Sequence, residues 1–346
     1  MKIADFEIGQ GKTFVIAELS ANHNGSYQTA VKTIEAAAKA GADAIKLQTY
    51  RADTITLDSD KEYFKINHGT LWDGRTLYDL YKEAYTPWDW QPKLKKVAEK
   101  NGLICFSSPF DHAAVDFLEN MNVPAYKIAS FEITDIPLIE YVASKGKPII
   151  ISTGIARLDD IELAVNTCKK AGNNQIVLLK CTSSYPAQIA DANLLTISDM
   201  EKRFAVIAGL SDHTEGADVA IAAVALGTSV IEKHIILDRS IGGPDAEFSM
   251  EMKDFTKMVT SIRNIEKAIG QVSYDLTDVV EESRKFRRSL FVVKDMKKGD
   301  VFTKENIRSI RPGHGMHPKD YNKILGKQII TNVNKGTPLT LELMGE

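Results

Sequence analysis

Eight short apolar runs rich in Val and Ile, each followed by a longer stretch of helical periodicity, constrain this chain more than any other feature. They are FVIAEL (14–19), AIKLQTY (44–50), LICFSSP (103–109), AYKIAS (125–130), PIIISTG (148–154), IVLLKCTS (176–183), VIAGLSDH (206–213) and SVIEKHII (229–236). Near-continuous apolar strands alternating with amphipathic helices are the pattern of parallel strands whose outer face is covered by helices. The stretch SYQTAVKTIEAAAKAGA repeats its apolar positions at helical spacing and ends at Gly41, a residue suited to the turn that stops a helix. Eight such units in about 255 residues predict a (β/α)8 barrel. A doubly wound open sheet is the alternative, but no G-x-G-x-x-G follows the first strand, where such a fold carries its phosphate turn.

The barrel is expected over residues 1–270. Residues 271–285 are polar and charged and read as a linker, and residues 286–346, with a KKGD turn and few helical patterns, read as a small β-rich domain. A net charge of -3 gives no basic excess for nucleic acid. No apolar run approaches the roughly 18 residues of a membrane span, and the N-terminus lacks an apolar signal core, so a cytoplasmic protein is expected. Cys105, Cys168 and Cys181 have no metal or redox spacing and read as buried structural thiols.

A barrel carries its chemistry at the C-terminal ends of its strands, and side chains two apart share a face. This filter groups Glu18 with Ile16 and Ser20, Lys46 with Gln48, Phe106 with Ser108, Ser211 with His213, and Glu232 with His234. His213 and His234 end consecutive strands about 4.8 Å apart with matching inward parity, which suits one shared divalent ion. Inward lysines at Lys46 and Lys127 call for a bound anion or a Schiff base. Ser108, Ser130, Ser152, Thr153, Gly154 and Ser183 add hydroxyl and backbone donors for a phosphate or carboxylate. His23 stands at the correct rim to touch a ligand. His68 and His112 are expected to face water, and His314 and His317 to be structural.

Nine segments in order, IAELSANHNGS, AIKLQTY, FSSPFD, AYKIASFE, IISTGIA, KCTSSYP, GLSDHTEG, IEKHIILD and GGPDAEFSM, resemble the landmarks of the sialic acid synthase family, and KDMKKGDVFTKENIRSIRPGHG resembles that family's antifreeze-like (SAF) domain. The resemblance covers nearly the whole chain. It implies condensation of phosphoenolpyruvate with an amino-sugar aldose, a divalent metal (Mn2+ first, with Mg2+ or Co2+ as alternatives) and a domain-swapped homodimer. Its implied roles are Glu18 and Glu232 in catalysis, and Lys46, Ser108, Lys127, Ser130, Ser152, Ser183 and Ser211 at phosphoenolpyruvate. His213 and His234 would hold the metal, and Tyr185, Asp245, Arg311, Trp72 and Asp73 would contact the sugar. Ser108 and Ser183 stand where the neuraminate enzymes have threonine and asparagine. LWDGRTLYDLYKEAYTPWDW (71–90) is similar to the pseudaminic acid branch, which implies 2,4-diacetamido-2,4,6-trideoxyaltrose as acceptor; most of its aromatics are expected to pack a helix onto the barrel. Neuraminate or legionaminate synthesis is the alternative within the family. Outside it stand a lysine Schiff-base aldolase and a sugar-binding protein with a degenerate barrel.

Overall fold

The structure, a computed structural model, describes residues 1–67, 69 and 71–346; His68 therefore lies outside the described residues. The chain divides into two units, Met1–Gly270 and Gln271–Glu346.

In the first unit eight strands run parallel: β1 Phe14–Glu18, β2 Ala44–Thr49, β3 Ile104–Pro109, β4 Tyr126–Ile128, β5 Ile149–Ser152, β6 Ile176–Cys181, β7 Ile207–Asp212 and β8 Val230–Ile236. Each pairs with the next, and β8 pairs with both β7 and β1, which closes the barrel. Closure decides between the barrel and the open sheet, which alternation alone cannot separate. The covering helices are α1 Tyr27–Lys39, α2 Gln91–Lys100, α3 His112–Asn120, α4 Ile136–Ala143, α5 Leu158–Lys170, α6 Leu195–Phe204, α7 Asp218–Ala225 and α8 Met252–Ile269.

Local chemistry sets their limits. Ser26 caps α1 by accepting the Thr29 N–H, the helix buries Ala30, Thr33, Ile34 and Ala37, and Gly41 follows its end at φ +88°. That i, i+3, i+4, i+7 stripe is what fastens a helix to a barrel wall. At the N-terminal end of the strands, a hairpin of Lys2–Ile3 and Phe6–Glu7 buries Ile3 and Ile8 and sets Phe6 against Phe14 at the start of β1.

Register aligns the strand ends. Glu18 lies opposite Lys46 on β2 and opposite His234 on β8, while Ser211 lies opposite Glu232 on β8 and Cys181 on β6. Polar residues from β1, β2, β6, β7 and β8 are thereby brought to one level of the barrel. Between β2 and α2 the chain makes a long insertion that carries the helix Leu77–Ala84.

The second unit holds an antiparallel pair, Ser289–Val292 with Ile307–Ile310, over a core that includes Leu290, Val292, Phe302, Ile307 and Leu339. The helix Asp278–Ser283 falls inside the stretch that reads as a linker. Among the described residues no helix is long and apolar enough to cross a membrane.

Candidate active site

Four charged side chains lie in a chain across the C-terminal mouth of the barrel. Lys46 Nζ is 3.0 Å from Glu18 Oε2 and 3.1 Å from Glu232 Oε1, and Lys127 Nζ is 3.6 Å from the same Glu232 oxygen. No side chain in this chain is more than 5% exposed. Burial alone would neutralise such groups, and alternation of sign is what lets charge persist. Burial pushes the Glu18 carboxyl up, against the pull of Lys46. Glu232 is buried too, but Lys127 and Lys46 together hold it well below the usual carboxylate range. Burial brings the Lys127 ammonium down to about 8. Two neighbouring carboxyls are thus driven apart, one toward holding a proton and one toward remaining ionised, the arrangement that acid–base chemistry needs. Gln48 Nε2 steadies Glu18 by donating to Oε1 at 3.1 Å, and Ser211 Oγ donates to Glu232 Oε1 at 3.2 Å.

His213 and His234 meet with ring centroids 5.2 Å apart. His213 Nδ1 is 3.0 Å from the Thr182 carbonyl, which can only accept; Nδ1 therefore carries a hydrogen, and in the neutral ring Nε2 keeps its lone pair, although burial, which lowers this imidazole, is outweighed by Cys181 and the Thr182 carbonyl, which raise it. Burial, then His213 and the two lysines, push the His234 imidazole well below its ordinary range, and its Nδ1 is buried without a hydrogen-bond partner. A buried ring nitrogen without a partner is costly unless something binds it or the ring's other nitrogen in the site. The donor set therefore fits a divalent ion of the Mn2+, Co2+ or Zn2+ kind. Among the described residues no group of three or more His, Cys, Asp or Glu could hold a metal, so such an ion would draw further ligands from water or substrate.

Small hydroxyls and a backbone N–H gather beside this pair. At Gly154 an added Cβ would fall 2.1 Å from Ser183 Oγ and 2.8 Å from Ser130 Oγ, so only glycine lets these two hydroxyls come so close to the backbone. Its N–H donates to Ser130 Oγ at 3.2 Å, and Lys127 Nζ donates to Ser152 Oγ at 2.6 Å. Ser108 Oγ is buried and has no partner.

A cavity of about 520 Å³ opens above, lined by Lys46, Lys127, Ser130, Ser152, Ser211, Glu232 and both histidines, and also by Trp72, Tyr185 and Asp245. Tyr185 lies 4.5 Å from the His213 ring, and Trp72 donates through Nε1 to the Pro244 carbonyl at 2.9 Å. Asp245 accepts from Ser20 Oγ. Asp73 is exposed and accepts the Gly69 N–H through Oδ2; the structure places it outside the cavity lining. Arg311 lies exposed in the second unit, on a loop clamped by Ser289, whose Oγ donates to the Pro312 carbonyl at 2.7 Å and accepts the Gly315 N–H at 2.8 Å.

Four residues escape the sequence reading. Cys181, read as filler, brings Sγ to 3.7 Å from His213 Nδ1; burial would raise this thiol, but His213 pulls it down to about 6. Its parity with Ser183 was the available signal. Glu132 lines the cavity from the 3-10 turn after β4, with its carboxyl pushed up to about 7 by burial. Phe248 packs its ring 4.8 Å from Tyr185 and 5.1 Å from His234. Gln48, on the same face as Lys46, donates through Nε2 to Glu18 and to Ser20 Oγ at 2.9 Å. His23 is buried, accepts the Gly25 N–H at Nδ1, and places Nε2 3.2 Å from Thr86 Oγ1.

Known proteins resemble this arrangement from end to end. Residues 33–274 match the NeuB family and residues 287–343 match the SAF domain. The chain is 47% identical to the pseudaminic acid synthase of Campylobacter jejuni over 339 residues, covering 98% of each chain. It is 45% identical to the pseudaminic acid synthase of Helicobacter pylori over 329 residues, covering 95% of this chain and 96% of that one. Among solved structures, the N-acetylneuraminic acid synthetase of Leptospira borgpetersenii superposes with a TM-score of 0.72 at 33% identity, over 82% of this chain and 94% of that one. The match spans both units and leaves the charged strand ends inside it: the chain belongs to the NeuB family of sialic acid synthases, with a SAF domain at its C-terminus.

Proposed function

We propose that the chain condenses phosphoenolpyruvate with 2,4-diacetamido-2,4,6-trideoxyaltrose and water, giving pseudaminic acid and phosphate by C–O cleavage. The similarity to pseudaminic acid synthases over 98% of the chain carries this reading. The nine-carbon product requires a new bond between C3 of phosphoenolpyruvate and C1 of the aldose. The aldehyde oxygen takes up a proton, water adds at the resulting cationic C2, and the C2–O bond to phosphate breaks.

The residues of the barrel mouth supply what these steps demand. Lys46 and Lys127 meet the charge of phosphoenolpyruvate, and Ser130, which accepts the Gly154 N–H and so keeps its own hydrogen to give, offers donors to its phosphate and carboxylate together with Ser152 and Ser183; Ser211 stands beside them with its hydrogen on Glu232. Ser108, with an unpaired hydroxyl, adds another. Glu232, held ionised, faces the centre where positive charge develops, while Glu18, pushed toward its protonated form, can give or hold a proton. His213 and His234 would hold the divalent metal, Mn2+ first and Mg2+ or Co2+ as alternatives, which when bound polarises the aldehyde as a Lewis acid. Tyr185, Asp245 and Trp72 lie where they can contact the sugar, with Asp73 at the edge of that loop.

The active form is a cytoplasmic homodimer in which the SAF domain of one subunit, with Arg311, covers the barrel of the other. The segment joining the units supports this, since Val272, Tyr274, Val279 and Phe286 are each more than 65% exposed in the single chain. Sedimentation of a monomer at assay concentration would remove the dimer.

Mass and NMR analysis of products from a panel of aldoses is the decisive experiment. The 2,4-diacetamido-2,4,6-trideoxy acceptor should yield a nine-carbon 2-keto acid and one phosphate, and N-acetylmannosamine should yield none. Excess chelator should abolish phosphate release, and Mn2+ or Co2+ should restore it. Equal use of N-acetylmannosamine would move the enzyme to the neuraminate branch; full activity in chelator would end the metal assignment.

A further inference from the structure

The helix Leu77–Ala84 turns its apolar stripe to a cavity rather than into the main core cluster of the barrel. Thr76 caps it by accepting the Asp79 N–H, and its apolar positions are Leu77, Leu80, Tyr81 and Ala84. That is the spacing with which α1 buries its stripe against the strands. Here all four residues line the 520 Å³ cavity instead. Tyr50 extends the same wall, its ring edge-on to Tyr81 at 5.7 Å and to Phe110 at 5.1 Å, and Ile66 from the same insertion lines it too. The cavity therefore has a charged floor built by strand ends and a mostly apolar wall built by the insertion between β2 and α2, to which Lys65 adds a charge paired with Glu62 at 2.7 Å.

Nothing in phosphoenolpyruvate suits such a wall, because its carboxylate and phosphate belong with Lys46 and Lys127. Resting on the reaction proposed above, the wall must then meet the acceptor. C1 of the sugar has to reach the histidines at the floor, so the opposite end of its carbon chain is what can extend to the insertion. Each acetamido group carries an N–H and a carbonyl that an apolar wall would leave unpaired, at a cost comparable to a lost hydrogen bond. The C6 methyl carries neither. We infer that the stripe of the Leu77–Ala84 helix, with Ile66 and Phe110, is the seat of the C6 methyl and makes this enzyme selective for 6-deoxy acceptors over their 6-hydroxy counterparts.

Selectivity of this kind has a ceiling. An apolar pocket that meets one added hydroxyl discriminates by about 10²-fold. The test compares kcat/KM for 2,4-diacetamido-2,4,6-trideoxyaltrose with that for its 6-hydroxy counterpart, in the wild type and in Leu80→Asn and Leu77→Ser. The ratio is read within each preparation, so it does not depend on the fraction of enzyme that is folded. The wild type should favour the 6-deoxy sugar by about 10²-fold, and each variant should lower that ratio at least about tenfold. Leu77 is only half-buried, so its variant decides the matter if Leu80→Asn does not fold. A wild-type ratio near one, or a ratio unchanged in the folded variants, overturns the inference. So does a wild type that tolerates the 6-hydroxyl but rejects an acceptor lacking the 4-N-acetyl group, since the wall would then hold an acetyl methyl. Failure of the wild type to condense any of these sugars with phosphoenolpyruvate would instead overturn the reaction itself.

Discussion

The two ends of the barrel treat charge in opposite ways. At the N-terminal end, Asp43 is shared by Lys12 at 2.7 Å, Arg263 at 2.5 Å and the Val15 N–H at 2.9 Å. Glu266 Oε1 accepts both the Thr13 N–H at 2.7 Å and Arg263 Nη1 at 2.8 Å. These contacts tie the start of β1 to α8, and the carboxylates are filled. At the C-terminal end, Glu232 Oε2, Ser108 Oγ and His234 Nδ1 are buried with no hydrogen-bond partner. Each such group costs about 1–3 kcal/mol when left unsatisfied. A filled network stabilises the fold, whereas an unfilled one persists where a ligand completes it.

The contrast can be broken most forcefully at Glu232. Glu232→Gln keeps the shape but removes the charge between the two lysines, and phosphate release should fall about 10²- to 10⁴-fold, the span over which positioned acid–base groups act. A loss below tenfold in a folded variant would show that the charge chain is not the reacting centre. Arg263→Ala attacks the other end. Urea unfolding should show a loss of about 1.5–3 kcal/mol, the value of hydrogen bonds to charged groups, with kcat per folded enzyme unchanged. An equal fall in kcat would dissolve the distinction between the two ends.

The smallest effect sharpens the comparison through pH. Burial raises the Glu132 carboxyl from 4.5 to about 7, so in that interval the folded chain binds a proton that the unfolded chain has released. Stability contributed by this group must therefore decline as pH rises from about 4.5 to 7 and level off above. Urea midpoints measured across that window should drop less in Glu132→Gln than in the wild type. Identical slopes would mean that Glu132 is not held in its protonated form.

How much of this is legible in the sequence depends on whether periodicity reaches the residue in question. The strands are, because a two-residue alternation with Val and Ile between polar tips needs no tertiary information, and Glu18, Lys46, Ser211 and Glu232 follow from it. The helix Leu77–Ala84 is legible as amphipathic, and of its aromatics Tyr81 sets its ring on Tyr50 at the end of β2. Its stripe lines a cavity, because periodicity shows that a face is apolar and not what covers it. Trp88 and Trp90 do pack, against Phe117 and against His23 and Tyr27. Glu132 lies beyond the end of β4 in a 3-10 turn, where strand parity no longer gives a direction. Cys181 was lost differently: its burial is plain from its strand, but a thiol beside an imidazole needs the register of β6 on β7 to be seen.

That register has a counterpart at the place where β8 meets β1. His234 and Glu18 are partners across it, contributed by the last strand of the ring and the first. More than two hundred residues of chain therefore separate two neighbours in the site, and they meet only when the circle is complete. Any shorter assembly of consecutive β/α units can bury apolar side chains yet has only fragments of the reacting centre. On the reaction proposed above, the enzyme stays inert during synthesis until its eighth strand docks, and chemistry begins as a report that the ring has shut.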